Sequence, residues 1–385
     1  MKTIDFSSAE SVVHGALDHV FPAAQLEVRL HGETILSRAY GWLDPDAGQH
    51  SAQLDTQFDM ASVTKLFVVT AFMTLVEEGK VAFDQPVRTV LPEFDGARPI
   101  RAYDNPLEPG KFVDVVPPTD QAAEAGQVTF RNLLSHNSGL PAWRPLYKEG
   151  SPAAAQQLAL STFFSYPIGA CAIYSDIGLI LLGMSIERLT GLALDQVVYQ
   201  RVAQPLELGQ TAYRPVSGLR SVVSGQIDNV APTEICAWRK RRIVGEVHDE
   251  NAAGLGGVAG HAGIFSTATD TAALGQMYLN HGGALLHAET VAEMTRLQAE
   301  DGTTRRGLGF ALWCPDPDAS GNPFGERAFG HTGFTGTSLW IDPQRELAVV
   351  CLTNRVYYGR NASGILAFRV ALHRAIVAAI DAFSP

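Results

Sequence analysis

Ser62 and Lys65, a hydroxyl and an amine three residues apart, stand at the head of an apolar run from Leu66 to Val76. On a helix that spacing puts both side chains on one face. Serine is a weak nucleophile until its proton is taken, and a lysine takes it only when burial or neighbouring cations disfavour its own charge. The apolar run supplies the burial. It gives way to Glu77-Glu-Gly79, polar residues and a glycine suited to a helix C-terminus, so a core helix opening at Ser62 is expected. The Ser62 N–H then falls among the unpaired donors of the first turn, where the helix dipole favours developing negative charge, and forms half of an oxyanion hole. Alone, Ser-x-x-Lys also fits an ordinary cap beside a solvated lysine.

Two further elements add chemistry. Tyr174-Ser-Asp176 precedes Ile177 to Gly191, a run too apolar for a surface helix, with Ser175 or Asp176 as its cap, which leaves the Tyr174 phenol on the connection into a buried helix. His331-Thr332-Gly333-Phe334 lies in a segment whose later half, to Ile341, reads as a strand. Its glycines at 330, 333 and 336 let backbone approach a ligand, so the Phe334 N–H is a candidate second oxyanion donor. The same glycines also suit turns between edge strands.

In the order Ser-x-x-Lys, Tyr-x-Asp, His-Thr-Gly, the chain resembles the serine β-lactamases and penicillin-binding proteins, most nearly the class C β-lactamase-like branch that includes esterases and D-amino-acid peptidases. Arg131 to Pro141 and Gly256 to Ala268 resemble further segments of that branch. The resemblance implies that Ser62 is the acylated nucleophile and that Lys65 and Tyr174 share proton transfer, the choice of base being open. Asp176 stands where the lactamases carry an asparagine whose amide donates to a substrate carbonyl, and an ionised aspartate cannot donate. His331 stands where they carry a lysine that holds a substrate carboxylate, and histidine is mostly neutral at pH 7. Asp176, His331, Thr332, Gly333 and Phe334 are thus the expected substrate-binding residues. The two departures shift weight toward esters or neutral amides.

The reaction implied is two-step acyl transfer through an acyl-enzyme at Ser62, with no cofactor and no metal. Each positioned oxyanion donor is worth on the order of 3 kcal/mol of barrier. A carboxylesterase-like activity leads. The alternatives are a β-lactamase, a D-alanyl-D-alanine carboxypeptidase or a D-aminopeptidase-type amide hydrolase, and a non-catalytic binding protein on the same fold. No serine sits in the Gly-x-Ser-x-Gly setting of an α/β-hydrolase. The eleven histidines are dispersed without a His-Glu-x-x-His, and Cys171, Cys236, Cys314 and Cys351 make no metal-ligand pairs. His136, His248 and His261, in loops rich in glycine, asparagine and aspartate, are read as ties for loop backbone.

With 385 residues, 46% of them apolar, the chain can bury a sizeable core, and two subdomains are expected. A formal charge of -11 opposes binding to nucleic acid or anionic membrane, and the basic cluster Arg239 to Arg242 is short and read as a solvated face. The first ten residues lack the apolar core of a secretory signal, and no run is read as a membrane span, so a cytoplasmic protein with reduced cysteines is expected. Its partner would be a small ester or amide.

The positioning elements read as follows. A helix over 6–20 is followed by a hairpin, 26–31 with 35–40; strands are expected at 309–313, 338–341 and 347–352, then a helix over 365–380. The sheet must join both chain ends, giving an α+β, β-lactamase/transpeptidase-like fold: an antiparallel sheet flanked by terminal helices, plus a mainly helical subdomain. The division expected is 1–80 with 262–385 as a discontinuous α/β subdomain, and 81–261 as the helical one. Irregular stretches at 98–127 and 215–250 are candidate pocket walls.

Overall fold

A computed structural model describes residues 4–46, 48–108, 110–115, 122–215, 229–361 and 363–383. Its main sheet uses Ala23–Leu30 (β1), Glu33–Asp44 (β2), Gln49–Ser51 (β3), Ala299–Asp301 (β4), Thr304–Arg306 (β5), Ala311–Leu312 (β6), Phe329–Thr332 (β7), Ser338–Asp342 (β8) and Leu347–Thr353 (β9). The spatial order is β4-β5-β6-β7-β8-β9-β1-β2-β3, with every neighbouring pair antiparallel. The expected hairpin is β1–β2, turning at His31 and Gly32, both in the left-handed region. The chain ends meet where β1 pairs with β9, Leu26 opposite Cys351 and Val28 opposite Val349.

Strand alternation divides the sheet between two cores. Leu26, Val28, Trp340, Val349 and Cys351 pack beneath the terminal helices Ser7–Ala16 (α1) and Ser363–Phe383 (α2). Leu339, Ile341, Val350 and Leu352 face the other core with the helix Ala268–Leu279 (α3). On the same face as α3, β1 presents Gln25 and Glu27, which accept from the Ala268 N–H and the Thr269 hydroxyl and so fix the start of α3. At 21 residues, α2 is long and apolar enough to cross a membrane, which the sequence reading did not register; half of that stretch is buried, with Ile365, Phe368, Leu372, Ile376 and Ile380 against the sheet.

The helix Thr64–Glu77 (α4 here) is buried on all sides from Thr64 to Leu75, as expected of a helix apolar all round. It packs against Asp176–Thr190 (α5). Ser62 itself lies in a short 3-10 turn, Ala61–Val63, that leads into α4, so the regular helix begins two residues later than expected. Ser175 caps α5 by accepting from the Gly178 N–H, and Gly191 closes it in the left-handed conformation. Of the two irregular stretches, 116–121 and 216–228 lie outside the described residues. The basic cluster is less solvated than expected: Arg239 donates to the Val247 and His248 carbonyls, and Arg242 to those of Thr233 and Tyr357.

Candidate active site

Three segments converge on the Ser62 turn. The strand Ile264–Ser266 pairs with Phe58–Asp59, and the Met60 N–H donates to the Ile264 carbonyl, which ties residues 58–64 to the Gly256–Ala268 segment. The loop after His136 holds the entry to α5: the Ser175 N–H donates to His136 Nδ1 (3.1 Å), the Ser175 hydroxyl to the Pro141 carbonyl, and the Asp176 N–H to the Ala142 carbonyl. Just past β7, Gly333 lies against the Met60 carbonyl and the Ala61 side chain so closely that a Cβ there would meet the Met60 carbonyl at 2.6 Å. The hydroxyls of Thr335 and Thr337 donate to the Asp59 and Met60 carbonyls.

The result is a mutual cluster. Lys65 Nζ donates to Ser62 Oγ (2.9 Å) and to the His261 carbonyl (3.0 Å), and lies 2.8 Å from Asp176 Oδ1. Its side chain is 1% exposed and that of Asp176 18%. Burial alone would lower the Lys65 pKa, but the Asp176 carboxylate and the Tyr174 phenol outweigh it and hold the amine above the ordinary lysine value. Lys65 is therefore an ammonium in the resting site. The ammonium also lies 4.8 Å from the centre of the Tyr174 ring. Tyr174 is half-buried, with its hydroxyl shielded from water and making no well-formed hydrogen bond, and desolvation raises its pKa against the opposing pull of Lys65.

His331 packs beside Tyr174, ring centres 5.8 Å apart, and its Nδ1–H donates to the Thr332 carbonyl. Burial, then Lys65 and Arg306, keep its pKa well below the usual histidine value, so it presents a neutral ring. His136, 4.7 Å from the Tyr174 ring on its other contact, is held neutral by burial and the same cations. Thr332, Gly333, Phe334, Tyr174, Asp176 and Ser62 all line one cavity of about 610 Å³, with Pro106 and Leu107 of the 98–127 stretch in its wall. Among the described residues no turn or loop hydrogen bond engages the Phe334 N–H, and the Ser62 N–H lies in the first turn of its 3-10 segment, where donors lack an intrahelical partner.

Of the site residues named from the sequence, Ser62, Tyr174, Asp176, His331, Thr332, Gly333 and Phe334 line this cavity, while Lys65 is buried behind Ser62 and Asp176, to which it bonds, so Asp176 is both a lining residue and the lysine's ion-pair partner. Sequence reasoning missed Arg306, a cavity residue whose guanidinium carbon lies 5.2 Å from the Tyr174 ring centre. Burial lowers its pKa, the Tyr174 phenol is the one group acting the other way, and its Nε has no partner. A cluster of possible ligand atoms also forms where none was read: those of Asp176, Asp249 and His261 lie within 4.8 Å of one another. Lys65 already bonds Asp176 and the His261 carbonyl, and His261 Nε2 pairs with Asp249 (2.8 Å), so the positive charge at this point is the lysine's own.

The family model described as Beta-lactamase matches residues 9–372. The chain belongs to the beta-lactamase family. Within reach of this family, an N-acetylmuramyl-L-alanine amidase of Bacillus subtilis (strain 168) is 32% identical over 366 residues, covering 87% of this chain and 77% of that one. A putative D-alanyl-D-alanine carboxypeptidase of Salmonella agona (strain SL483) is 31% identical over 380 residues, 89% and 81%. Among solved structures, EstCE1, a hydrolase with promiscuous acyltransferase activity, superposes with a TM-score of 0.70 at 22% identity over 96% of this chain and 97% of its own. The beta-lactamase family assignment and the superposition agree with the α+β architecture; members of this superfamily are hydrolases.

Proposed function

We propose that this chain is a serine hydrolase that forms an acyl-enzyme at Ser62 on an ester or amide. The observation that carries it is the Ser62–Lys65–Asp176 chain, at 2.9 and 2.8 Å around a buried amine, beside a Phe334 N–H that no turn or loop hydrogen bond among the described residues engages. In the reactive form the Lys65–Tyr174 pair holds one proton fewer than at rest, as a Lys65 ammonium beside a Tyr174 phenolate; the phenolate oxygen then accepts the Ser62 proton, while the ammonium, which donates to Ser62 Oγ, favours that anion. Ser62 Oγ forms a bond to the substrate carbonyl carbon, the carbonyl oxygen takes the negative charge between the Ser62 and Phe334 N–H groups, and the alcohol or amine leaves with the proton from Tyr174. Water, giving its proton back along the same route, releases the acid and restores Ser62.

The neutral His331 supports the carboxylesterase-like reading, since it offers no permanent charge to an anionic substrate. Arg306 favours a second reading. A half-buried guanidinium in the wall, its Nε without a partner, suits a substrate carboxylate, as an amidase or carboxypeptidase acting on peptides would meet, and the two relatives named above carry such names. Intact-mass spectrometry after exposure to a fluorophosphonate should add one label in the wild type and none in Ser62→Ala; an unlabelled wild type would instead favour a binding protein. Penicillin adducts, and turnover of p-nitrophenyl butyrate against a D-alanyl-D-alanine peptide and its methyl ester, then rank the substrates. If Arg306→Gln loses turnover of the free peptide by about tenfold or more while sparing the ester, the second reading stands; equal effects on both return the esterase to the lead.

A further inference from the structure

The buried face of α2 is apolar except for Arg369 and His373. No ion pair among the described residues includes Arg369, and burial pushes its pKa down to about 10. A guanidinium withdrawn from water in this way is costly unless its donors are well used. Here one nitrogen, Nη2, donates to two carbonyls at once, Gly333 at 2.7 Å and Thr337 at 2.8 Å. These are the residues that close the turn between β7 and β8, where the Gly333 N–H also donates to the Thr337 carbonyl.

Resting on the hydrolase reading above, the geometry points to Arg369 as a positioning residue for the oxyanion donor Phe334. The Gly333 carbonyl and the Phe334 N–H belong to one trans peptide plane and point in opposite directions across it. Holding the oxygen against the Arg369 guanidinium aims the N–H to the opposite side of the plane, and Gly333, Phe334 and Arg369 all line the cavity that holds Ser62. The next plane is held in the same way: Arg355 Nε donates to the Phe334 carbonyl at 2.7 Å, with its guanidinium 4.3 Å from the Phe334 ring centre. Two guanidiniums therefore restrain the carbonyls on either side of Phe334. The close packing of Gly333 on Met60 and Ala61 then registers this donor against the turn that carries Ser62. Donors fixed before the reaction stabilise the developing oxyanion without reorganising during it.

The test uses the full-length chain with Arg369→Met, which keeps an apolar stem without the donors, and Arg369→Lys, which keeps a charged donor. Fluorophosphonate labelling counts competent active sites, and kcat per labelled site and KM are measured on p-nitrophenyl butyrate beside the affinity for phenylboronic acid, which forms a tetrahedral adduct at the serine. The expected result for Arg369→Met is a fall in kcat of about 100-fold per site, KM within about twofold, phenylboronate affinity weakened in parallel, and partial recovery in Arg369→Lys. Unchanged kcat per labelled site, with only the melting temperature or the labelled fraction reduced, would make Arg369 a structural tie and overturn the proposal. So would a raised KM with intact kcat. Should Arg369→Met not fold, Arg369→Leu, assayed below its melting temperature, takes its place, and wild-type kcat per labelled site and phenylboronate affinity in it overturn the proposal equally. A wild type that takes no label sinks the hydrolase reading itself, which separates that failure from failure of the clamp.

Discussion

Substituting Asp176→Asn removes the carboxylate that keeps a 1% exposed lysine charged. Breaking one partner from a buried ion pair costs about 3–5 kcal/mol, and the 18% exposure of Asp176 favours the lower end, about 3 kcal/mol at pH 7. At about 2.1 cal/mol/K of unfolding entropy per residue over 385 residues, that corresponds to a fall in Tm of about 4 °C. The sign of its pH dependence follows from Lys65. In the wild type its folded pKa is raised, so the pair stabilises the protein below the unfolded lysine value of about 10.4 and the benefit is lost as pH rises through the folded value. In the variant burial is unopposed by Asp176, the folded pKa drops, and the unfolded chain binds the extra proton at pH values between the folded and unfolded pKa. The stability difference is thus largest near pH 7 and shrinks toward pH 11. Differential scanning calorimetry across that range reads it, and the pH profile of kcat/KM on p-nitrophenyl butyrate should gain a titrating limb on the acid side of the wild type's. A Tm difference that stays constant with pH, together with superimposable rate profiles, refutes the assignment of Lys65 as a cation held by Asp176.

Two other outcomes are expected. Tyr174→Phe should lower kcat/KM for the same ester by about 10²–10⁴-fold with the fold intact by circular dichroism, and a loss below tenfold would remove Tyr174 from proton transfer. His373, buried on α2 with its Nδ1–H donated to the Ser320 carbonyl, has its pKa pushed down to about 4 by burial. Its contribution is present above the unfolded value of about 6.5 and is lost as pH falls toward 4, about 3 kcal/mol in all. His373→Leu should flatten that part of the acid-side loss in urea titrations between pH 6.5 and 4, and an unaltered slope would assign the acid sensitivity elsewhere.

The chemistry-bearing motifs were legible because each packs its information into a few adjacent residues: a hydroxyl and amine one turn apart, a phenol at a helix entry, glycines beside a strand. The sheet was legible from alternation in β1, β8 and β9. What stayed hidden are relations between distant segments. That Asp176 pairs with Lys65 depends on how the starts of α4 and α5 approach each other, which no spacing within either helix reports. Arg306 looks in sequence like any arginine on a short strand beside Arg305. Arg369 sits in an apolar helix at a position that a charged residue usually reaches only by facing water, and its meaning lies 36 residues away at Gly333. The helix over 365–380 was legible despite its arginines and histidine, and the structure extends it to Ser363 and Phe383.

The pairing of β1 with β9 also bears on biosynthesis. The Ala23 N–H, at the head of β1, donates to the Asn354 side chain 331 residues later, so the first strand made must await one of the last. During translation the nucleophile and its lysine leave the ribosome long before the strand that supplies Phe334. So wide a sequence separation favours slow folding and leaves the apolar face of the β1–β2 hairpin uncovered in the interim, a window in which a chaperone would find its target.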